Sequence, residues 1–309
     1  MTAARGTDPA DAAFARGVAE AAGRILVERY ERVEVIDYKS ARDVVTEVDH
    51  LSEAMILDAI RKRFPGDAIL AEESGAHPGP AANTPTSPRT ARVTKEARAA
   101  EAAAAEAAIR GLAHGRTWVI DPLDGTINYA NGIPYFCVSV ALVVDGLPTV
   151  GAVHDPMRSE TFWAAADGPA MLGETPIRAS RKAKLSDAVV SMALGGRAVA
   201  TRARAVRKVV RASRNTGSAA LALAYVANGR FDAFLQTGGM SAWDVAAAGL
   251  IAERGGALVT NANGGPWFDV ERATRAFGIV AAPAAHHGEL LARSREAGVS
   301  PAPAPATPA

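Results

Sequence analysis

Residues 117–129 read TWVIDPLDGTINY, and in this stretch an apolar strand ends at two closely spaced carboxylates. The strand leads into Asp121, and the turn after it returns Asp124 to the same side. Gly125 and Thr126 then open a helical turn, whose free N–H groups can hold a phosphate while the hydroxyl orients a water. The stretch therefore predicts a phosphoryl-transfer site at the end of a strand.

Three other acidic patches also lie where apolar elements end or helices begin. They are Asp43-x-x-Thr46-x-x-Asp49, Glu72-Glu73 and Trp243-Asp244. Carboxylates in such positions converge at the lip of a sheet. Their hard oxygen ligands suit Mg²⁺ or Ca²⁺ rather than Zn²⁺, and the six His residues show no HxxxH or HxH spacing. The four patches together predict a cation site.

The spacing of apolar residues predicts helices and strands in no regular order in the first part of the chain, and strands that alternate with helices in the second part. It predicts helices over 12–30 and 48–63, then strands at 68–70, 117–120, 135–144, 149–153 and 161–165. From about residue 185 it predicts strands at 188–193, 231–235, 257–260 and 277–281 among helices at 198–211, 218–227, 243–254 and 287–296. We therefore expect an α+β part over 12–184 and an α/β part over 185–296, between a flexible segment 1–11 and a disordered Pro/Ala tail 297–309.

Residues 76–116 interrupt this pattern between two predicted strands. The first half is rich in Pro, Thr and Ala and predicts a mobile loop, whereas the Ala- and Glu-rich residues 94–112 predict an exposed helix. Both ends lie next to acidic patches, so the segment is interpreted as a flap over the site. A tolerated surface insertion is the alternative, because long loops cost little closure entropy.

Composition excludes several classes of function. The chain has 34 basic and 33 acidic residues among 309, so its net charge of +1 gives no global attraction for nucleic acid or anionic membranes. Cys137 is the single cysteine, which excludes intrachain disulfides and multi-cysteine metal sites. No apolar run approaches the ~20 residues of a membrane span, and the first residues lack a secretory pattern. A cytoplasmic protein with no nucleic-acid or membrane partner is expected.

Four stretches resemble successive motifs of the inositol monophosphatase family. They are DVVTEVD at 43–49, AEES at 71–74, WVIDPLDGTINY at 118–129 and WDVAAAGLIAERGG at 243–256. The resemblance runs over residues 12–295 apart from 76–116. It implies an αβαβα layered sandwich, usually a homodimer, and a lithium-sensitive, Mg²⁺-dependent phosphatase that uses a metal-activated water.

The resemblance also implies roles for individual residues. Two or three Mg²⁺ ions would be held by Glu72, Asp121, the Leu123 carbonyl, Asp124 and Asp244. Asp49 and Thr126 match the pair that orients the attacking water, and with Glu72 they are the expected catalytic residues. Phosphate and substrate contacts are expected from Asp124, Gly125, Thr126, Gly217, Ser218 and Ala219, and Lys39 lies in a segment that resembles the family's mobile metal loop.

The substrate is less well defined than the reaction. Inositol-specific members carry a Glu about six residues before the Trp243 position, whereas residues 235–240 (LQTGGM) contain no acid. The stretch DAFLQTGGMSAWD resembles 3′-phosphoadenosine 5′-phosphate phosphatases, while INYANGIPYF resembles the monophosphatase branch. Inositol 1-phosphate or a related sugar or polyol phosphate is the expected substrate. 3′-Phosphoadenosine 5′-phosphate, fructose 1,6-bisphosphate and histidinol phosphate are the alternatives.

Two other classes of protein fit these residues less well than a metal-dependent phosphatase of this family. A haloacid-type phosphatase needs Asp-x-Asp near the N-terminus, and the spacing here is Asp-x-x-Asp after 120 residues, which excludes it. A non-catalytic regulatory binding protein remains the alternative from another class, although such a protein would be expected to have lost a ligand and none is missing from the motifs.

Overall fold

The computed structural model describes residues 7–32, 36–40, 43–77, 79, 111–272 and 275–295. The helices in these ranges are α1 (Pro9–Arg29), α2 (Glu47–Arg63), α3 (Thr126–Ala130), α4 (Val199–Arg207), α5 (Ala219–Ala224), α6 (Ala242–Arg254) and α7 (Ala284–Ser294). The strands up to residue 176 are β1 (Ile36–Ser40), β2 (Asp43–Thr46), β3 (Ala68–Ala71), β4 (Gly75–His77), β5 (Arg116–Asp124), β6 (Cys137–Val144), β7 (Leu147–Asp155), β8 (Glu160–Ala165), β9 (Met171–Leu172) and β10 (Thr175–Pro176). The remaining strands are β11 (Val189–Ala193), β12 (Ala212–Arg214), β13 (Ala233–Met240), β14 (Leu258–Asn261) and β15 (Phe277–Ala282).

Two large sheets form the framework. The N-terminal sheet has the order β10-β9-β8-β7-β6-β5-β3-β4, and the C-terminal sheet has the order β12-β11-β13-β15-β14. Helices α1 and α2 pack on one face of the first sheet, and α6 contacts its β6 and β7 from the other side. Helices α4 and α7 contact each other and cover the outer face of the second sheet. The result is the αβαβα sandwich that the resemblance implied.

Three apolar cores hold these layers together. The core between α1, α2 and the first sheet includes Leu26, Ile56 and Trp118, all fully buried. The central core surrounds α5 and α6, which are almost entirely apolar because both of their sides face a sheet. None of the helices in the described ranges is both long and apolar enough to cross a membrane.

The fold brings the carboxyl ends of two strands to one point. Strands β3 and β5 pair in parallel, so Ala71 lies beside Ile120 and the acidic residues after each strand leave the sheet at the same edge. The pairing of β5 with β6 shifts register between Asp121 and Asp124. This irregularity lets both aspartates lie on the same side of the sheet, as the spacing predicted.

Most predicted elements are confirmed, and the differences lie at their ends. Helix α1 begins at Pro9 rather than at residue 12, because the Asp8 side chain accepts a hydrogen bond from Ala10 N, so residues 9–11 are helical and not flexible. Helix α4 ends at Arg207 rather than at 211, since the chain must turn there to begin strand β12. The helix predicted over 218–227 is α-helical only to Ala224 and continues as a 3₁₀ turn.

Other predictions concern segments that the structure describes only in part. Strand β4 and a 3₁₀ turn at Gly111–Ala113 occupy the two ends of the 76–116 segment. Most of the helix predicted over 94–112 and the whole tail 297–309 lie outside the described residues. In the segment compared with a mobile metal loop, the backbone of Lys39 lies in β1, which pairs antiparallel with β2.

The close packing of α6 against the first sheet depends on Gly151, which has no side chain. A Cβ on Gly151 of β7 would lie 2.7 Å from the Ala247 carbonyl oxygen and 2.8 Å from its Cα, both of them backbone atoms of α6. Gly151→Ala should therefore push α6 from the sheet and lower the free energy of unfolding by about 1–3 kcal/mol. Thermal and urea unfolding would measure this.

Gly17→Ala is the matched control. Gly17 lies inside α1, where an added Cβ meets no atom within 4 Å. Because Ala favours the helix, this variant should be as stable as the unaltered protein or more stable, by up to about 1 kcal/mol. Equal stability of the Gly151→Ala variant and the unaltered protein would contradict the packing described here.

Candidate active site

Three aspartates meet between the two sheets. Asp121 and Asp124 come from the end of β5, and Asp244 comes from the first turn of α6. A carboxylate oxygen from each lies within 4.8 Å of the others. Asp121 is 1% exposed and Asp124 is 9% exposed, so these charges are largely removed from water.

Burial makes this cluster electrostatically unfavourable when it is ionised. Burial raises the pKa of Asp121 well above its ordinary value, and the nearby charges of Glu72, Asp124 and Asp244 raise it further. Burial and then Asp124 raise the pKa of Asp244 to about 7. Several ionised oxygens aimed at one point are stable only with a counter-charge, and an all-oxygen set is the kind that Mg²⁺ prefers. The residues present therefore fit the expected metal.

The C-terminal half of the chain holds Asp124 in place. Its Oδ2 accepts hydrogen bonds from Ser218 Oγ at 2.5 Å and from Ala220 N at 2.7 Å. Ser218 is the N-terminal cap of α5, and its Oγ also accepts a bond from Leu221 N. These donors lower the pKa of Asp124, although its burial raises the pKa more. Ser218, expected at the substrate, thus contacts a predicted metal ligand directly.

A second chain of contacts links Thr126 to Asp49. Thr126 Oγ1 lies 3.2 Å from Asp49 Oδ1 and 3.0 Å from the Leu123 carbonyl oxygen, and its single hydroxyl proton can serve one of them at a time. Asp49 Oδ2 accepts bonds from Thr46 N and Thr46 Oγ1 at the start of α2. Burial raises the pKa of Asp49 to about 6, against the effect of these hydrogen bonds. Thr126 and Asp49, which match the water-orienting pair of the family, are therefore in direct contact.

Glu72 stands at the edge of this cluster. It follows β3, is half-buried, and is close enough to Asp121 to form a side-chain hydrogen bond that raises the pKa of that aspartate. Glu53 of α2, which is buried, holds the neighbouring turn by accepting a bond from Glu73 N. Lys39 was expected nearby, but its side chain lies outside the described part of the structure.

A cavity of about 560 Å³ opens beside Asp124 and Asp244. Gly217, Ser218 and Ala219, the residues expected at the substrate, line it. The rest of its described lining is neutral and consists of Ser191, Ala193, Asn215, Thr216, Phe234, Gln236, Gly239 and Met240. The only charges on the described wall are therefore those of the two aspartates.

Three residues support the site in ways that the sequence analysis did not predict, although it named Thr46 within an acidic patch. Asn128 of α3 donates from Nδ2 to both the Tyr135 and Thr216 carbonyl oxygens, which fixes the loop before Ser218. Thr46 and Ser241 precede α2 and α6, and the side chain of the aspartate three residues later accepts a bond from each backbone N–H. The capping-box spacing of Thr/Ser-x-x-Asp was a signal for the last two. Asn128 had no local signal.

Comparison with known proteins agrees with this geometry. The model of the inositol monophosphatase family matches residues 10–300. The Nus factor SuhB of Haemophilus influenzae is 33% identical over 285 residues, covering 90% of this chain and 92% of that protein. The Nus factor SuhB of Escherichia coli K12 is also 33% identical, over 80% of this chain and 83% of its own length.

Solved structures show the same architecture. The extragenic suppressor protein SuhB of Bartonella henselae superposes with a TM-score of 0.74 at 28% identity, covering 92% of this chain and 97% of that one. The IMPase of Thermotoga maritima superposes with a TM-score of 0.73 at 29% identity, covering 93% and 97%.

Proposed function

Because the chain belongs to the inositol monophosphatase family, we propose that it is a Mg²⁺-dependent phosphatase that hydrolyses a small phosphomonoester of a sugar, polyol or similar alcohol. The observation that carries the proposal is the meeting of Asp121, Asp124 and Asp244 next to the Thr126–Asp49 pair. The three aspartates can bind cations, and the Thr126–Asp49 pair can accept a proton from a water molecule.

The three aspartates and Glu72 would hold Mg²⁺, with the Leu123 carbonyl as a further oxygen ligand. When bound, the metal supplies positive charge that stabilises phosphoryl oxygens and makes water more acidic. The donors on Oδ2 of Asp124, Ser218 Oγ and Ala220 N, fix the position of that carboxylate.

Thr126 and Asp49 would position the attacking water. When the Thr126 hydroxyl donates to Asp49 Oδ1, its lone pairs are available to accept a hydrogen bond from water. Asp49, with a pKa of about 6, is mostly ionised above neutral pH and can accept the proton through this contact. The first N–H groups of α3, at Gly125 and Thr126, face no helical acceptor and would bind phosphoryl oxygens.

The neutral cavity wall favours a monophosphate with an uncharged leaving group. A second phosphate, as in fructose 1,6-bisphosphate, would find no Lys or Arg among the described residues that line the cavity. Asn215, Thr216 and Gln236 offer neutral donors and acceptors to hydroxyl groups. We therefore place inositol 1-phosphate and related polyol phosphates ahead of the bisphosphates.

We expect a broad substrate range among monophosphates. Without an acid in residues 235–240, the site lacks a charged acceptor for particular ring hydroxyls, and such sites discriminate weakly. Phosphate release with Mg²⁺ should give similar kcat/KM for several polyol phosphates and lower values for adenosine and fructose bisphosphates. Gln236→Glu should narrow the range. A strong preference for one bisphosphate would contradict the proposal, and no release from any ester would contradict the enzyme itself.

A regulatory binding role is the second candidate function. Relatives of this chain carry the name Nus factor SuhB, so a regulatory binding function could exist beside hydrolysis. The described site retains all its predicted carboxylate ligands, which favours an active enzyme. A host strain in which an Asp121→Asn variant replaces the protein would separate the two, since a regulatory role survives loss of catalysis.

A further inference from the structure

The net charge of the chain conceals an uneven distribution. Residues 178–214 contain eleven Lys and Arg residues and one acidic residue, Asp187. Since the whole chain has 34 basic and 33 acidic residues, the remainder is acidic in balance. A local field of this kind acts on partners within about a Debye length, whatever the total charge is.

The fold places much of this charge on the outside of one layer. Helix α4 buries Ala203 and Val206 against the outer face of the C-terminal sheet. Its opposite side presents Arg204, Arg207 and Lys208, all exposed and spaced i, i+3 and i+4, so they share one face.

Contacts continue this face into the edge strand β12 and the turn before β11. Arg207 Nε donates to Ser213 Oγ at 3.3 Å, and Arg214 Nη1 donates to the Ser213 carbonyl oxygen at 3.0 Å. Arg211 pairs with Asp187 at 2.7 Å, and Asp187 N is bonded to the Lys184 carbonyl oxygen. The exposed cations of this region of the fold, together named the cationic face, are Lys184, Arg204, Arg207, Lys208, Arg211 and Arg214.

The face is poorly neutralised by the protein itself. In the described ranges, the pair between Arg211 and Asp187 is the only ion pair that these six cations make. Five like charges without an acidic partner repel each other, and a polyanion would relieve this repulsion.

The surroundings of the charges indicate which polyanion fits. Val199 is the only exposed large hydrophobic residue in 178–214, and the apolar side of α4 is already committed to the core. A membrane-surface helix needs an apolar face for the bilayer, and the centre of a protein interface is usually aromatic or aliphatic. Binding to a phosphate backbone needs neither, and guanidinium groups match phosphate oxygens in a bidentate manner.

We propose that the cationic face binds nucleic acid through its phosphate backbone, without reading bases. This inference is independent of the hydrolytic site and reverses the expectation, drawn from net charge, that nucleic acid is not a partner. Binding should depend strongly on salt and only weakly on sequence.

Fluorescence anisotropy of the full chain with a labelled RNA hairpin and a DNA duplex tests this. The triple variant Arg204→Gln/Arg207→Gln/Lys208→Gln should lose at least about tenfold in affinity at low salt. The slope of log Kd against log salt should fall by about two to three, because each lost phosphate contact accounts for about 0.7 with a single strand and about 0.9 with a DNA duplex. Scrambled sequences should bind equally, and hydrolysis of a small phosphomonoester should be unchanged.

The matched control is Arg61→Gln/Lys62→Gln/Arg63→Gln. It removes the same charge from the last turn of another helix, α2, so effects on the helix dipole and on net charge are matched. Its nucleic-acid affinity should stay within about twofold of the unaltered protein, since that surface lies outside the cationic face.

Three results would overturn the proposal. They are no binding at low salt, an equal loss of affinity in the control, and tighter binding to phosphatidylserine vesicles or polyglutamate than to nucleic acid. The last would assign the face to a membrane or to an acidic protein.

Discussion

Asp121→Asn should lose at least about 10³-fold in kcat and yet, in chelator at neutral pH, unfold at a higher temperature than the unaltered protein. The two effects have one cause. Asp121 is buried beside Asp124 and Asp244, so its ionised form is unfavourable in the fold unless a cation is bound. Asn removes that charge and also removes the ligand.

The pH dependence follows from the direction of the pKa shifts. An aspartate whose folded pKa is raised binds its proton more tightly in the folded than in the unfolded state, where the pKa is about 3.9. The contribution of these aspartates to the stability of the metal-free protein is therefore full below that value and is lost as pH rises through the folded pKa, which for Asp244 is about 7. We expect Tm in chelator to fall between about pH 4 and pH 7, and to fall less in Asp121→Asn.

Addition of Mg²⁺ should reverse this loss. A ligand that binds only the folded state raises Tm, and ionised carboxylates bind the cation better, so the increase should be larger at pH 8 than at pH 5. Asp121→Asn should show little increase at either pH. Scanning calorimetry with Mg²⁺ or chelator, together with metal titration by isothermal calorimetry, measures this without reference to activity.

Asp232→Asn is the matched control, because it is the same substitution at another buried aspartate. Asp232 Oδ2 accepts bonds from Lys182 Nζ at 2.8 Å and Val189 N at 2.6 Å, so its charge is stabilised by partners. This variant should lose stability and keep its kcat. If Asp121→Asn destabilised the metal-free protein as Asp232→Asn does, the cluster would not be the unfavourable arrangement described here.

The sequence predicted the acidic cluster because its signals are local. Asp121 and Asp124 follow an apolar strand, and Asp244 lies at the start of a helix. Such positions can be recognised in the sequence, and they place the carboxylates at the edge of a sheet. The alternation of helical and strand patterns of apolar residues predicted a fold of mixed helices and strands. The family resemblance then predicted the order of the layers.

What the sequence did not predict depends on contacts between distant segments. The bond from Ser218 to Asp124 joins residues 94 apart, and its donor lies on a helix whose start resembles an ordinary cap. The pairing of β1 with β2 was not predicted because residues 36–46 are mostly polar and contain no Gly, Pro or Asn, the residues that signal a connection between paired strands.

The cationic face was missed for a different reason. Every residue of it was visible in the sequence, but net charge averages the basic segment with an acidic remainder. A count over windows of the chain would have shown the imbalance, and only the fold shows that Arg204, Arg207 and Lys208 face outward together.

Thr126→Ala should cost roughly 10²–10³ in kcat with little change in KM, as for the loss of one positioned catalytic group. Its hydroxyl lies between Asp49 Oδ1 and the Leu123 carbonyl, where it can hold water but offers little binding energy to a substrate. Thr126→Ser is the matched control, because it keeps the hydroxyl and removes only a methyl group. It should retain activity within about tenfold.

The pH profile distinguishes this role from simple binding. Because the pKa of Asp49 is raised to about 6, kcat of the unaltered enzyme should fall as pH drops through this region and the carboxylate becomes protonated. In Thr126→Ala the contact that transmits this change is gone, so the acid limb should flatten, whereas Thr126→Ser should keep it. A defect confined to KM, with an unchanged pH profile, would show that Thr126 binds substrate and does not orient the attacking water. If Thr126 acted together with Asp49, its loss would also remove the dependence of kcat on the protonation of Asp49.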